Sequence, residues 1–367
     1  MWGLAPPTRQ GTPTAPAPDR RGLPLRLSVS TLASPAPGTA SLASPGIDCP
    51  AMSATGGVEP LTEGLSAVDT RTAGMSKVTA GYLIAAPRPT LIECGPAKSI
   101  DNVIESLWAV GMDPADLAYL VLTHVHLDHA GGAGDLLGAF PSARVIVSEL
   151  GARHLVDPSR LNRSARQVYG DFHDEVYGDC TPIAAERVRG VEDGEWLELG
   201  GGHRLQLLYT PGHAKHHISA FDPDRGALFV GDSVGVKMPG MSTIRPATPP
   251  PDFDLALAQR TLTRYRELHP DTVYLAHYGP VGPPREALAE AAERLARWAE
   301  TAEAAWQEHD ELEHVAETLA QRFADEVRPS DDDPDAVQRV ELLSGIRSNA
   351  MGLLRYFRLR EEGRTAG

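Results

Sequence analysis

The sequence predicts an α/β fold, a four-layer αββα sandwich in which two β-sheets pack face to face beneath outer helices, with a C-terminal helical extension. Two observations carry this. Short apolar runs bounded by turn residues alternate with helical periodicities, and the series of strands then helices occurs twice, which suits two sheets covered on both outer faces. After Pro284 the chain turns dense in Ala, Glu, Leu and Arg, which marks a separate helical region. At 367 residues and 42% hydrophobic content, the chain has room for one large domain or two medium ones.

Taken in order, residues 1–57 are rich in Pro, Ala, Ser, Thr and Gly, with ten of the 31 prolines in the first 50 positions. Such a segment has little apolar surface to offset ordering entropy, so it reads as a disordered tail. The other readings are a targeting segment or an over-extended start with Met52 as initiator. Folded sequence is expected from near Leu65, within a main domain over 58–284. Leu65–Thr70, Val78–Ala85 and Thr90–Cys94 read as strands, with Ala86 to Pro89 as a turn. Ile100, Val103, Ile104 and Leu107 fall at i, i+3, i+4 and i+7, so a helix follows Ser99. Ala118–Leu122 is an unbroken apolar run of the kind that makes a buried strand. A helix to about Phe140, a strand at Arg144–Val147 and helical pieces over Glu149–Tyr169 come next. The second half adds strands near Trp196–Leu199, His203–Tyr209, His217–Phe221 and Ala227–Val230, a helix over Phe253–Leu268 and a strand at Thr272–Ala276. Residues 285–367 form the helical region. Its apolar stripes (Leu288, Leu295, Trp298 and Trp306; Val340, Leu343, Ile346, Leu353 and Phe357) read as packing on the main domain or as a homodimer contact.

The chemistry concentrates in Thr123–Gly132, THVHLDHAGG. On an extended segment side chains at i, i+2 and i+4 leave one face, so His124, His126 and Asp128 are expected to converge, with His129 turning in from a helix start. Gly131 and Gly132 lack a Cβ, which is expected to let that helix lie close against the sheet. One surface His beside an Asp is ordinarily a solvated pair. Three His and one Asp at a strand-to-helix turn are what a borderline-soft divalent metal needs. Three more positions each follow an apolar strand: His213 in TPGH, Asp232 in GD and His277 in AH. Strands ending at one sheet edge put their loops side by side, so these three are expected to reach the first cluster.

THVHLDHAGG, TPGHAKHH, FVGDS and AHYG together resemble the metallo-β-lactamase superfamily over about residues 62–285. The resemblance implies a catalytic domain of that fold at 58–284. It also implies that His124, His126 and His213 bind one metal and that Asp128, His129 and His277 bind a second, with Asp232 bridging. Asp232 sets the chain apart from the β-lactamases proper, which use Cys or Ser there, and His126 from the flavodiiron pattern, which uses Glu. ARHLVDPSRL and TPGHAKHHIS look like a branch of glyoxalase II-like (hydroxyacylglutathione hydrolase-like) hydrolases. Glu93 stands where that family usually has Asp, and its glutathione-binding basic and tyrosine positions have no clear match. The expected cofactors are two divalent ions, zinc foremost, with iron or manganese also acceptable to such ligands. Two such ions about 3.5 to 4 Å apart acidify a shared water, taking its pKa from 15.7 toward about 7. The resemblance thus implies hydrolysis of a thioester, ester or lactone, with Asp128 as the catalytic carboxylate that orients the attacking water. His216 and His217 are expected to support these ligands or to serve structure.

Competing readings are a mononuclear iron persulfide dioxygenase, which shares these motifs but usually lacks a long C-terminal helical region, and a phosphodiesterase or nuclease. Only 44 residues separate Asp232 from His277, which leaves no room for a large inserted nucleic-acid domain. The formal charge of −15, with four Lys in all, also argues against a phosphate backbone as partner. A non-catalytic scaffold would not need all seven ligand positions filled. No run approaches the roughly eighteen apolar residues of a membrane span. Cys49, Cys94 and Cys180 are odd in number and unpaired in spacing, which points to reduced thiols in the cytoplasm. A small molecule is the expected substrate, with neither nucleic acid nor membrane as partner. The loop Val234–Pro251, with Met238, Met241 and Ile244, is expected to shape its pocket.

Overall fold

A computed structural model describes residues 57–327 and 333–365; residues 1–56 of the expected tail and Cys49 lie outside the described residues. The first sheet takes β1 (Val58–Thr62), β2 (Leu65–Asp69), β3 (Ala80–Ile84), β4 (Thr90–Ile92), β5 (Tyr119–Val121), β6 (Arg144–Ser148) and β7 (Val188–Val191) in that spatial order. β1 to β4 run antiparallel and β4 to β7 parallel. The second sheet holds β8 (Trp196–Gly200), β9 (His203–Tyr209), β10 (Ile218–Asp222), β11 (Ala227–Phe229), β12 (Thr272–Leu275) and β13 (Gly279–Val281), ordered 13-12-11-10-9-8. β11 and β12 are parallel, and the two antiparallel steps through β10 bring β9 into the same direction.

The sheets meet through one apolar layer. Tyr82, Ile84, Ile92, Val121 and Ile146 of the first sheet face Leu205, Leu207, Ile218, Phe229 and Tyr274 of the second. In the central strands the alternate residues are buried as well, beneath the outer helices. Leu83, Leu120 and Val145 pack under α1 (Ile100–Ala109), α2 (Leu127–Ala130), α3 (Ala133–Ala139), α4 (Glu149–Val156) and α5 (Ser159–Tyr169). Leu208, Val273 and Leu275 pack under α6 (Leu255–Leu268), α7 (Pro284–Glu308) and α8 (Leu312–Arg322). Burial on both faces is why the strands read as continuous apolar runs without period-two alternation. Two helices follow, α9 (Ala336–Ser344) and α10 (Ile346–Glu361). Leu353 and Phe357 of α10 join Leu288, Leu295, Trp298 and Trp306 of α7 over the second sheet, while Val340 of α9 packs with Val78 and Met238. Each such side chain taken from water contributes about 1.5–3 kcal/mol.

The structure departs from the sequence expectations in four places. A strand precedes the one expected at Leu65, because Val58–Thr62 pairs with β2 even though most of its residues are exposed. β7 and β13 escape an apolar-run reading because VRGV and GPV carry Arg, Gly or Pro within three or four residues. The helix expected through Phe140 is two helices. The Gly131 and Gly132 positions between them face the turn after β4 and α1, not the sheet: a Cβ on Gly131 would lie 3.1 Å from Pro96 Cα, and one on Gly132 2.6 Å from Ile100 Cδ1. Finally, Met238 and Met241 are buried with Val78, Val236 and Val340, so they pack against the C-terminal region and do not line an open pocket. Among the described residues no helix is long and apolar enough to cross a membrane.

Candidate metal centre

Four strands of like direction or parallel pairing deliver their C-terminal loops to one edge. β5 leads to His124, β9 to His213, β11 to Asp232 and β12 to His277. The edge is stitched across the sandwich, since the Ile218 N–H donates to the Thr123 carbonyl at 2.7 Å. Gly231 is needed just before Asp232. Its φ is +52°, and a Cβ there would lie 2.4 Å from Thr123 Oγ1 and 2.7 Å from His217 Nε2. Glu93, which is not a glycine, also adopts a left-handed φ of +63° at the end of β4, a strained conformation that aims its carboxylate beneath the motif.

All seven residues singled out from the sequence come together, in two sets. His124 Nε2 and His213 Nε2 each lie 3.0 Å from His126 Nδ1. Three imidazole nitrogens thus converge. The second set is Asp128, His129 and His277: His277 Nε2 is 3.2 Å from His129 Nε2 and 3.3 Å from Asp128 Oδ2. Asp232 stands between the sets. Its Oδ1 is 3.4 Å from His129 Nε2 and 3.5 Å from His277 Nε2, while its Oδ2 is 3.7 Å from His213 Nε2. One expectation is corrected here. Asp128 does not share an extended face with His124 and His126, because residues 127–130 are already helical; the turn of α2 swings it to the second set. His126 and Asp128 are half-buried and the other five are buried, so the centre opens on their side.

Three of the outward-facing nitrogens have hydrogen-bond partners of their own. His213 Nδ1–H donates to the Ala247 carbonyl at 3.0 Å and His277 Nδ1–H to the Val78 carbonyl at 2.7 Å. His124 Nδ1 lies 3.0 Å from Thr123 Oγ1, whose hydroxyl donates in turn to Glu93 Oε1. His129 Nδ1 is 3.4 Å from that same Glu93 oxygen. The hydrogen bonds of His124, His213 and His277 fix their tautomers and turn the other nitrogen's lone pair into the centre, while His129 Nδ1 meets Glu93 at ion-pair distance without a hydrogen bond. Glu93 faces these far nitrogens from beneath, which places it to support the candidate ligands His124 and His129, although the three together also lie close enough to hold an ion. The resemblance already ties Glu93 to support of the motif loop, at the place where that family usually has Asp, whereas the supporting roles of Thr123, Val78 and Ala247 have no sign in the sequence. A backbone carbonyl has no residue signature, and the one signal within reach was Glu93 at the end of an apolar strand. His216 and His217 form a wall: the His217 ring stacks 5.1 Å from that of His124, and His216 Nδ1 accepts from the Val125 N–H at 3.4 Å.

The two sets differ electrostatically. Burial, reinforced by neighbouring imidazoles, holds the pKa of His124, His126 and His213 below the ordinary histidine value, so they stay neutral. Burial opposes charge on His129 and His277 too, but Asp232 and Asp128 outweigh it and raise both. Burial would likewise raise Asp128 and Asp232, yet His129 and His277 hold both well below the usual carboxylate range. Neutral imidazoles beside ionised carboxylates are the donor set of a divalent metal. Asp232 Oδ1 is buried without a hydrogen-bond donor, which fits an oxygen meant for an ion.

Residues 81–277, more than half of the chain, match the family model described as metallo-beta-lactamase superfamily. The chain is 40% identical over 171 residues to the metallo-beta-lactamase fold-containing protein ST1585 of Sulfurisphaera tokodaii, a stretch covering 46% of this chain and 62% of that protein. The solved structure of ST1585, titled as from Sulfolobus tokodaii, superposes with a TM-score of 0.60 at 28% identity, covering 80% of this chain and 99% of that one. The N-acyl homoserine lactonase AttM of Agrobacterium fabrum is 30% identical over 116 residues, 32% of this chain and 40% of AttM. A hydroxyacylglutathione hydrolase of Legionella pneumophila is 28% identical over 118 residues, 32% of this chain and 34% of that enzyme. The chain therefore spans less than two thirds of the length of the curated relatives it matches.

Proposed function

The chain belongs to the metallo-β-lactamase superfamily, and on that premise we propose that it is a binuclear metal-dependent hydrolase of a thioester, ester or lactone, of the glyoxalase II-like kind. One observation carries the reading: the two oxygens of the Asp232 carboxylate face two separate ligand sets. His124, His126 and His213 would hold one divalent ion and Asp128, His129 and His277 the other, with Asp232 shared. When bound, such ions supply Lewis acidity toward a carbonyl and lower the pKa of water, so no serine or cysteine nucleophile is required.

The chain's own residues do the rest. Asp128, ionised and on the open side of the centre, orients the attacking water and takes its proton. Glu93, through Thr123 and His129, keeps the imidazoles in register. The buried rings of His216 and His217 close one wall against solvent. AttM and the hydroxyacylglutathione hydrolase are named for cleaving a lactone and a thioester, which supports acyl transfer to water here.

The test is metal analysis of protein purified without chelators, together with a panel of thioesters, lactones, esters and phosphodiesters. Close to two divalent equivalents and turnover of an acyl substrate are expected. A protein holding a single iron, inactive on every acyl substrate and consuming oxygen with a persulfide, would overturn the reading in favour of a dioxygenase.

A further inference from the structure

We infer that Asn349, on α10 and far in sequence from the metal centre, is a positioning residue for the first ligand set, acting on His213 through one peptide group. The inference rests on the proposed metal role of His213. The peptide joining Ala247 to Thr248 is the link. Its carbonyl accepts from His213 Nδ1–H at 3.0 Å, and its N–H donates to Asn349 Oδ1 at 2.6 Å. A peptide unit is planar, so a bond that fixes the direction of its N–H fixes the direction of its C=O. Hydrogen bonds in series through one amide also polarise each other. Asn349 thus sets the direction from which His213 is held, and with it the aim of Nε2 into the centre.

Asn349 is built for the task. It is 2% exposed, and its Nδ2 donates to Ser344 Oγ at 3.2 Å and to the Ser344 carbonyl at 3.3 Å, which leaves Oδ1 turned toward Thr248. Thr248 Oγ1 donates back to the Asn349 carbonyl at 3.0 Å. The helix lies directly on this segment, because a Cβ at Gly352 would come 1.8 Å from the Thr248 carbonyl oxygen. Just upstream, Arg245 donates from Nε to Glu326 Oε2 at 2.8 Å and from Nη1 to the Ser344 carbonyl at 2.9 Å. The second set lacks this hydrogen-bonded link: His277 Nδ1 rests on the Val78 carbonyl beside β3, and Val78 meets the C-terminal helices through apolar packing with Val340.

The experiment uses full-length protein loaded with cobalt. Metal release to a graded chelator is followed by the visible bands, and the melting temperature of the metal-free protein is measured in parallel. Asn349→Ala should weaken one release step by about 10–100-fold, the range for lost outer partners of metal ligands, and leave the other step as in the wild type. Gly352→Ala, which must push the Thr248 carbonyl aside, should weaken the same step and carries the test if Asn349→Ala does not fold. Arg347→Ala, which breaks only an exposed α10 pair with Glu313, should change neither step. Wild-type release from both variants, or equal weakening of both steps in parallel with a fall in metal-free melting temperature, would overturn the inference. Wild type that binds no cobalt would overturn the proposed function along with it. Wild-type binding with unaltered variants would sink the inference alone.

Discussion

The two halves of the centre use the same residue types but hang from different parts of the molecule. His129 and His277 are held by Glu93 and by the Val78 carbonyl, both beside the first sheet. His213 is held by the Ala247 carbonyl, in a loop clamped to the C-terminal helices. The charges differ as well. The first set is three neutral imidazoles, whereas the second includes the ionised Asp128. An ion in the first set would have Asp232 as its one facing carboxylate, while one in the second would have Asp128 besides. The difference teaches that the two positions, alike in a motif, need not be alike in strength or in what supports them.

Asp232→Asn tests this most severely. Asn offers one neutral carbonyl oxygen and an amide donor in place of two anionic oxygens. The first set would then be wholly neutral, so it should empty first, taking the metal content from about two equivalents toward one. We expect kcat/KM to fall by more than about 100-fold, beyond what lost outer partners cost. The fold should survive, because the layer between the sheets lies away from these loops. A mutant that kept both equivalents and most of its activity would break the comparison.

Glu93→Gln reaches both halves, since one carboxylate oxygen faces His129 Nδ1 and also accepts from Thr123, which backs His124. A fall of about 10–100-fold in activity is expected, with both chelator-release steps weakened. If only one step moved, Glu93 would serve one half, and the division drawn above would need to be redrawn around it.

Most of the candidate ligands were legible because they follow an apolar strand, and strands that share a direction end at one edge. His124, His213, Asp232 and His277 follow from that rule, His129 from the helix start expected after the motif strand, and the four layers from strands and helices occurring twice. Residues that act by what they touch far away in sequence were not legible. Asn349 looks like an ordinary polar residue in a helix, and only the fold shows its amide on the Ala247–Thr248 peptide. Asp128 was assigned by period two to a strand face, yet α2 begins one residue before it. β7 and β13 lack long apolar runs because such short strands need few apolar side chains to hold their place. Met238 and Met241 were read as pocket-lining because apolar residues close in sequence to a ligand suggest one, and their actual cover, Val340, is about 100 residues away in the chain.

That misreading yields the prediction with the smallest expected effect on chemistry. Met238 is 1% exposed and Met241 8%, and the two are joined by a bond from the Met238 N–H to the Met241 sulfur at 3.2 Å. If they lined the substrate pocket, shortening either would change which acyl groups are accepted. Buried against Val78, Val236 and Val340, they should act through packing alone. Met238→Ala and Met241→Ala should each cost about 2–5 kcal/mol of stability, the range for truncating a buried methionine, read as a lower denaturation midpoint. The ratio of kcat/KM between a lactone and a thioester should stay as in the wild type, since neither side chain meets substrate. Metal release should report on the same loop: Met238 lies next to Lys237, whose N–H donates to the His277 carbonyl at 2.5 Å, so any weakening should appear first in the second set. A changed substrate ratio at an unchanged denaturation midpoint would return both methionines to the pocket.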